Sequence, residues 1–278
     1  MIKVGFYQFC PIFGDVRANL HKIAHALENT KADILVLPEL CTTGYLFTSH
    51  DEVAKLAEPI PGPATLFLEN VTRRKNMWLV LGMAERVGAN GRSPLRCYNS
   101  AVLIGPDGLK AVYRKAHLFF EEKLYFAPGD TPFRVYDLGM ARVGMLVCFD
   151  HFFPEATRAL ALQGAQIICH PSNLVLPGKG QQITRVRAME NRIFWVLANR
   201  YGTEERNGKR LTYTGASQII APDGEILAQA LPDEESLQIV ETSPAQADDK
   251  HVTAMNDLFQ DRRPELYNNL SNTPGGAQ

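Results

Sequence analysis

The sequence predicts an α/β protein, a four-layer α/β/β/α sandwich assembled from two pseudo-repeated halves. Apolar strand-like runs alternate with stretches of helical period, the pattern of consecutive βαβ units. The opening pattern then recurs in order. Lys3-Val-Gly5 is echoed by Arg142-Val-Gly144, Ala32-Asp-Ile-Leu-Val-Leu-Pro38 by Ala165-Gln-Ile-Ile-Cys-His-Pro171, and Leu103-Ile-Gly-Pro-Asp-Gly108 by Ile219-Ile-Ala-Pro-Asp-Gly224. No linker, low-complexity tract or charge run separates the copies. The 278 residues are therefore expected to form one domain, 1–278, with a C-terminal tail over 255–278.

Residues 2–9 alternate enough to form a strand, and Gly14-Asp15 caps a helix whose apolar Val16, Leu20, Ile23 and Leu27 follow the 3.6 period. Residues 32–37 read as a buried strand, with the carboxylate of Glu39 just beyond its carboxyl end. Pro61-Gly62-Pro63 breaks the chain before a helical stretch to about Arg74, and 77–82 form the next strand. Residues 98–104 and 109–114 flank the turn Gly105-Pro-Asp-Gly108, hence a hairpin, with Lys115 at its end.

The second half opens with Val143-Gly-Met-Leu-Val-Cys148-Phe-Asp-His-Phe-Phe-Pro-Glu155. Its apolar run reads as a strand covered on both faces with a thiol as last residue, and Pro154-Glu155 suit the first turn of a helix. The tail mixes aromatics with arginine, as expected of a segment packed on a neighbouring subunit or lying as an arm on its own. Its last eight residues are expected to fray.

With 45% hydrophobic residues, 21% charged and a net charge of -1, the chain reads as a soluble globular protein lacking a polyanion-binding balance. Nucleic acid is not an expected partner. The amino end lacks a signal-peptide core, and no apolar run reaches the roughly 18 residues of a membrane span, so no membrane partner and a cytoplasmic location are expected. The five cysteines (Cys10, Cys41, Cys97, Cys148, Cys169) are scattered without a C-x-x-C pair, which indicates neither a disulfide framework nor a zinc site. Gly202–Lys209 misses P-loop spacing by one residue, and no G-x-G-x-x-G follows a strand.

Glu39, Lys115 and Cys148 thus lie at or just past strand ends. A thiol nucleophile needs a base, and its attack on a carbonyl or nitrile carbon builds negative charge that a fixed cation or backbone N–H must stabilise. Taken singly, each has a plainer reading as a buried cysteine or a solvated loop charge. Together they supply the parts of a covalent hydrolase.

Leu37-Pro-Glu39-Leu-Cys-Thr-Thr-Gly-Tyr45, Tyr113-Arg-Lys115-Ala-His-Leu-Phe and Val147-Cys148-Phe-Asp-His-Phe-Phe-Pro-Glu155 resemble the three signature segments of the nitrilase, or carbon-nitrogen hydrolase, superfamily, its thermostable archaeal nitrilase in particular. The resemblance extends to His170-Pro-Ser-Asn173, Arg187-Ala-Met-Glu-Asn-Arg192 and the Asp261-Arg-Arg tail. It implies the four-layer sandwich, a homodimer or higher homo-oligomer, and no metal or organic cofactor. It implies Cys148 as nucleophile, Glu39 as general base and then acid, Lys115 as oxyanion stabiliser with the Phe149 backbone N–H, and Glu122, rather than the adjacent Glu121, as a second glutamate.

Tyr45, Phe120, His151, Phe152 and Asn173 adjoin the motifs and are expected pocket walls. For His151, pocket lining or helix-start packing is expected rather than a role as base for Cys148, and His117 is expected to be structural. Glu190 and Arg192 would form either an ion-pair network behind the site or a solvated helix face. The implied substrate is a small aliphatic amide, hydrolysed through a thioester to carboxylic acid and ammonia. The alternatives are a small aliphatic nitrile or dinitrile and an N-carbamoyl amide, for whose carboxylate only the distant Arg200 and Arg206 offer themselves.

Overall fold

Asp15 fixes the first helix boundary: its carboxylate accepts from the Ala18 N–H at 2.9 Å, and the helix that follows buries Leu20, Ile23 and Leu27 on one face. The computed structural model containing this cap describes residues 1–88 and 94–271. In chain order the first half comprises β1 (Ile2–Gln8), α1 (Val16–Glu28), β2 (Ile34–Val36), α2 (His50–Leu56), α3 (Pro63–Lys75), β3 (Trp78–Val87), β4 (Arg96–Gly105), β5 (Gly108–Arg114) and the short α4 (Glu122–Tyr125). The second comprises β6 (Val135–Asp137), β7 (Arg142–Met145), a 3-10 turn (Cys148–Phe152), α5 (Pro154–Leu162), β8 (Ile167–Pro171), α6 (Lys179–Asn191) and β9 (Phe194–Ala198). It continues with β10 (Tyr201–Arg206), β11 (Lys209–Thr214), β12 (Gln218–Ile220), β13 (Ile226–Gln229) and β14 (Ser236–Thr242).

These strands make two six-stranded sheets, ordered β14-β1-β2-β3-β4-β5 and β13-β12-β9-β8-β7-β6. In each, three strands run parallel and a hairpin closes one side: β1, β2 and β3 with β4-β5, then β7, β8 and β9 with β12-β13. An antiparallel strand completes the other side, β14 beside β1 and β6 beside β7. The repeated motifs fall on equivalent strands and turns. β1 and β2 pack against β9, and β2 and β3 against β8. Val4, Phe6, Ile34 and Val36 thereby share one buried cluster with Val143, Ile168 and Val196. Residues of opposite parity, Leu35, Leu37, Leu79 and Leu81, face Leu20, Ile23, Leu27, Leu68 and Val71 of the outer helices. Strand alternation thus generates the layers.

One boundary differs from expectation and matters for function. The strand anticipated over 143–148 ends at Met145, whose last ladder partner is Cys169. Leu146 and Val147 stay buried but lie outside the ladder, so their apolar character records burial rather than strand membership. Cys148 instead opens the 3-10 turn at a φ of +43°. The P-loop-like stretch Gly202–Lys209 is part of the β10-β11 hairpin. The tail rests partly on its own chain, with the Arg158 guanidinium 5.1 Å from the Phe259 ring centroid. Residues 272–278, where fraying is expected, lie outside the described residues. Among the described residues no helix is long and apolar enough to cross a membrane, and all five cysteines are unpaired.

Candidate active site

Glu39 reaches the interior because β3 lets its backbone approach. Leu37 N–H donates to Val80, Gly82 N–H to Pro38 and Cys41 N–H to Gly82, at 2.8, 3.0 and 2.9 Å. A Cβ at Gly82 would stand 2.4 Å from the Glu39 Cα, so only glycine permits the passage. Lys115 follows β5 directly, its backbone N–H tied to the Asn99 carbonyl at 2.8 Å. Glu39, Lys115, Glu122 and Cys148 are all buried.

The Lys115 ammonium donates to Glu39 Oε1 and to Glu122 Oε1, both at 2.7 Å. Glu39 Oε1 also accepts from Asn99 Nδ2 at 2.6 Å, while Glu39 Oε2 is buried with no hydrogen-bond partner among the described residues. Glu122 is held by the Tyr45 hydroxyl at 2.7 Å and the Phe119 N–H at 3.0 Å. Glu122, then, is the carboxylate that meets Lys115; Glu121 points outward to Lys209 at 2.6 Å.

Burial raises the Glu39 pKa, with the charge of Lys115 opposing and that of Glu122 assisting. Burial works against the Lys115 charge, yet the carboxylates of Glu122 and Glu39 outweigh it and raise that pKa. The Cys148 thiol is pushed well above its ordinary range by burial and then by the nearby Glu39 charge, against the pull of Lys115. At rest this sulfur is a thiol in the field of the Glu39 carboxylate, and the thiolate, not the thiol, is the nucleophilic form of a cysteine.

The turn carrying Cys148 is bound from several sides. The Asp150 carboxylate accepts from Val147 N–H at 2.9 Å, Tyr113 hydroxyl at 2.8 Å and His117 N–H at 3.1 Å, joining this turn to the segment bearing Lys115. Trp195 Nε1–H can only donate, so His170 Nδ1 accepts at 3.2 Å and its Nε2–H donates to the Cys148 carbonyl at 2.9 Å. His151 Nδ1 donates to the same oxygen. From α6, Arg187 donates to the carbonyls of His151 and Phe152 and pairs with Glu190 at 2.9 Å. The ion pair behind the site is thus Arg187–Glu190; Arg192 turns away to Asp249.

Tyr45 and Phe120 line a cavity of about 270 Å³ that reaches Glu122, Lys209 and Arg210. Phe152, His151 and Asn173 line a second, of about 20 Å³, beside Cys148. Asn173 also donates to the Glu39 carbonyl at 2.9 Å. His117 is stacked on Phe153 and bonded to Asp150. Arg200 and Arg206 are committed to Glu204 and Glu52 at 2.6 and 2.5 Å. Among the described residues no group of three or more His, Cys, Asp or Glu is arranged to hold a metal.

Sequence reasoning missed Asn99, Asp150, Arg187, Lys209 and Arg210. Asp150 and Arg187 left a signal, each lying inside a motif already singled out: a carboxylate two residues past the thiol, and the first residue of Arg187-Ala-Met-Glu-Asn-Arg192.

Residues 3–250 match the family model described as carbon-nitrogen hydrolase. A nitrilase of Pyrococcus abyssi (strain GE5 / Orsay) is 41% identical over 271 residues, covering 96% of this chain and 99% of the relative. An (R)-stereoselective amidase of a Pseudomonas species is 33% identical, covering 100% of this chain and 97% of the relative. The crystal structure of a carbon-nitrogen hydrolase from Helicobacter pylori G27 superposes with a TM-score of 0.86 at 28% identity, covering 97% of this chain and 98% of that one.

Proposed function

This chain belongs to the carbon-nitrogen hydrolase family, within the nitrilase superfamily, and we propose that it hydrolyses a small aliphatic amide to carboxylic acid and ammonia through a thioester on Cys148. The observation that carries this reading is the division of labour within one carboxylate. Glu39 Oε1 is occupied by Lys115 and Asn99, while Oε2 is buried without a partner among the described residues and free to take a proton.

In the proposed cycle Glu39 accepts the Cys148 proton as the sulfur attacks the amide carbonyl carbon, and the carbonyl π pair moves onto oxygen. The Lys115 ammonium and the Phe149 N–H stabilise that oxyanion. Phe149 suits this role because the first hydrogen bond of its turn runs from Asp150 to Val147, leaving the Phe149 N–H outside the turn's own pairing. The intermediate collapses with cleavage of the C–N bond as Glu39 returns the proton to nitrogen, and ammonia leaves. Water deprotonated by Glu39 then attacks the thioester; the acid is released and Cys148 is reprotonated. Glu122 would orient Lys115 and the amide nitrogen.

A nitrile is the second reading, favoured by the name of the Pyrococcus abyssi relative. It would pass through a thioimidate and take up one more water to reach the same thioester. Ammonia release and product identity from a matched amide and nitrile sharing one small acyl group, with Cys148→Ala as control, decide between them. Acid from the amide supports the proposal; acid from the nitrile with the free amide untouched overturns it. We further propose that residues 1–278 act as one catalytic domain that associates as a homo-oligomer. The exposed Leu266 and Leu270 of the tail, and the recess it forms with Glu155 and Arg158 of α5, support that association. A monomer in light scattering of the full chain would refute it.

A further inference from the structure

The small cavity beside Cys148 is lined by Phe119, Cys148, Phe149, His151, Phe152 and Asn173, among others. Glu39, Lys115 and Glu122 do not line it. If the leaving nitrogen must face Glu39 to receive its proton, the other substituent of the carbonyl carbon points away from the carboxylates, into this space. Its volume of about 20 Å³ admits one group the size of a water molecule.

Two acceptors on its lining residues are unused. The Cys148 carbonyl can only accept, so His151 carries its proton on Nδ1, leaving Nε2 as an acceptor with no partner among the described residues. Burial holds the His151 pKa down at about 4, so the ring stays neutral near pH 7. Asn173 donates through Nδ2 to the Glu39 carbonyl, which fixes its amide orientation and leaves Oδ1 unpartnered as well. Both residues are almost fully buried, at 1% and 2% exposure, so an acceptor left unpaired there costs free energy. The aromatic residues Phe119, Phe149 and Phe152 also line the space. Glu39, Glu122 and Lys115 together bring a formal charge of one negative to the adjoining space.

We propose that this cavity recognises a primary ammonium on the carbon next to the scissile carbonyl, with His151 Nε2 and Asn173 Oδ1 accepting its N–H groups. This rests on Cys148 attacking an amide and narrows the substrate class to α-amino carboxamides. Simple alkyl amides would leave both acceptors buried and unpaired, a loss that transition-state binding registers as lower kcat/KM. His151 is thereby a specificity-determining residue, and its bond to the Cys148 carbonyl is a separate task.

Alaninamide and isobutyramide are near-isosteric, an ammonium replacing a methyl, and form the test pair. The wild-type kcat/KM for the better alaninamide enantiomer is expected to exceed that for isobutyramide by about tenfold or more. His151→Phe should bring the ratio close to one, whatever happens to the absolute rates. His151→Gln, which restores an acceptor, should keep part of the preference. A wild-type ratio at or below one, or a ratio unchanged in His151→Phe, overturns the proposal. Should His151→Phe not fold, the dissociation constants of the two amides on Cys148→Ala decide: tighter alaninamide binding supports the proposal, and equal or absent binding overturns it. Ammonia from neither amide would sink the amidase reading alone, because the binding ratio still reads the pocket.

Discussion

The two halves of the molecule share a chain path but not a polarity. Past β2 and β5 the first half delivers Glu39 and Lys115, a buried ion pair joined by Glu122. Past β7 and β8 the second half delivers Cys148 and Asn173, set among neutral donors and acceptors from His151, His170 and Trp195. The thiols make the same point. Cys10 follows β1 much as Cys148 follows β7, yet it sits half-buried with the Arg200 guanidinium 3.3 Å from its sulfur. Repetition has supplied the scaffold twice, but Glu39, Lys115 and Glu122, which meet in one buried cluster, all come from the first half.

Removing the two thiols in turn tests that asymmetry most severely. Cys148→Ala should lower ammonia release by about 10⁴-fold or more while the far-ultraviolet circular dichroism spectrum is retained. Cys10→Ala should stay close to wild type. Comparable losses in both variants would mean that the halves are not chemically distinct.

Glu39→Gln comes next, with a fall in kcat/KM of about 10² to 10⁴ expected from losing a general base. Burial raises the Glu39 pKa, so the free enzyme should gain activity with rising pH along an acid limb placed above 4.5, the ordinary glutamate value. That limb should vanish in Glu39→Gln. A limb at the ordinary carboxylate position would assign the base elsewhere.

Lys115→Met removes the proposed oxyanion donor and the cation between two buried carboxylates. Activity should drop by about 10² to 10³, and stability by about 3–5 kcal/mol. The sign of the pH dependence is fixed. Glu39 already holds its proton more tightly in the folded than in the unfolded protein, and without Lys115 it loses the charge that opposes this. At Glu39 the folded protein then binds more protons than the unfolded, so this group's contribution to the variant's stability falls as pH rises from the unfolded carboxylate pKa through the raised folded one. The raised Lys115 pKa makes its own contribution complete at neutral pH, to be lost only above the ordinary lysine value of 10.5. Urea titrations of variant and wild type side by side from pH 4 to 8 read this as the difference between them, which cancels the groups common to both; a stability loss that does not grow with pH contradicts it.

What the sequence disclosed follows the range of its interactions. The strand and helix periods, the Asp15 cap and the turns after Gly105 and Ala221 depend on near neighbours, and the structure reproduces them. The order of motifs sufficed to nominate Glu39, Lys115 and Cys148, and the choice of Glu122 over Glu121 agrees with the contact to Lys115. Failures lie where distant segments decide. Met145 ends β7 because its ladder with β8 stops there, and an apolar stretch running on to Val147 gives no sign of it. Asn99 meets Glu39 across 60 positions, and Arg200 meets Cys10 across 190. Neither residue type hints at such a partner. Helix α2 is a different kind of miss, because Ser49 accepts from the Glu52 N–H at 3.2 Å and its Ser-x-x-Glu start could have been read.

Asp150→Asn probes the join between the halves, with the smallest expected effect. The carboxylate ties the Cys148 turn to Tyr113 and His117 on the Lys115 side. An asparagine keeps the shape but has one acceptor oxygen. Its amide nitrogen must then face either the Val147 N–H or the His117 side, and a backbone N–H cannot reverse its role as the Tyr113 hydroxyl can. One buried donor is left unmatched, which should cost about 1–3 kcal/mol in urea unfolding. The loss in kcat should be small beside that of Lys115→Met, since Glu39, Lys115 and Cys148 keep their own contacts. A loss as large as that of Glu39→Gln would show that the turn, rather than the charged cluster, limits how the nucleophile meets its base.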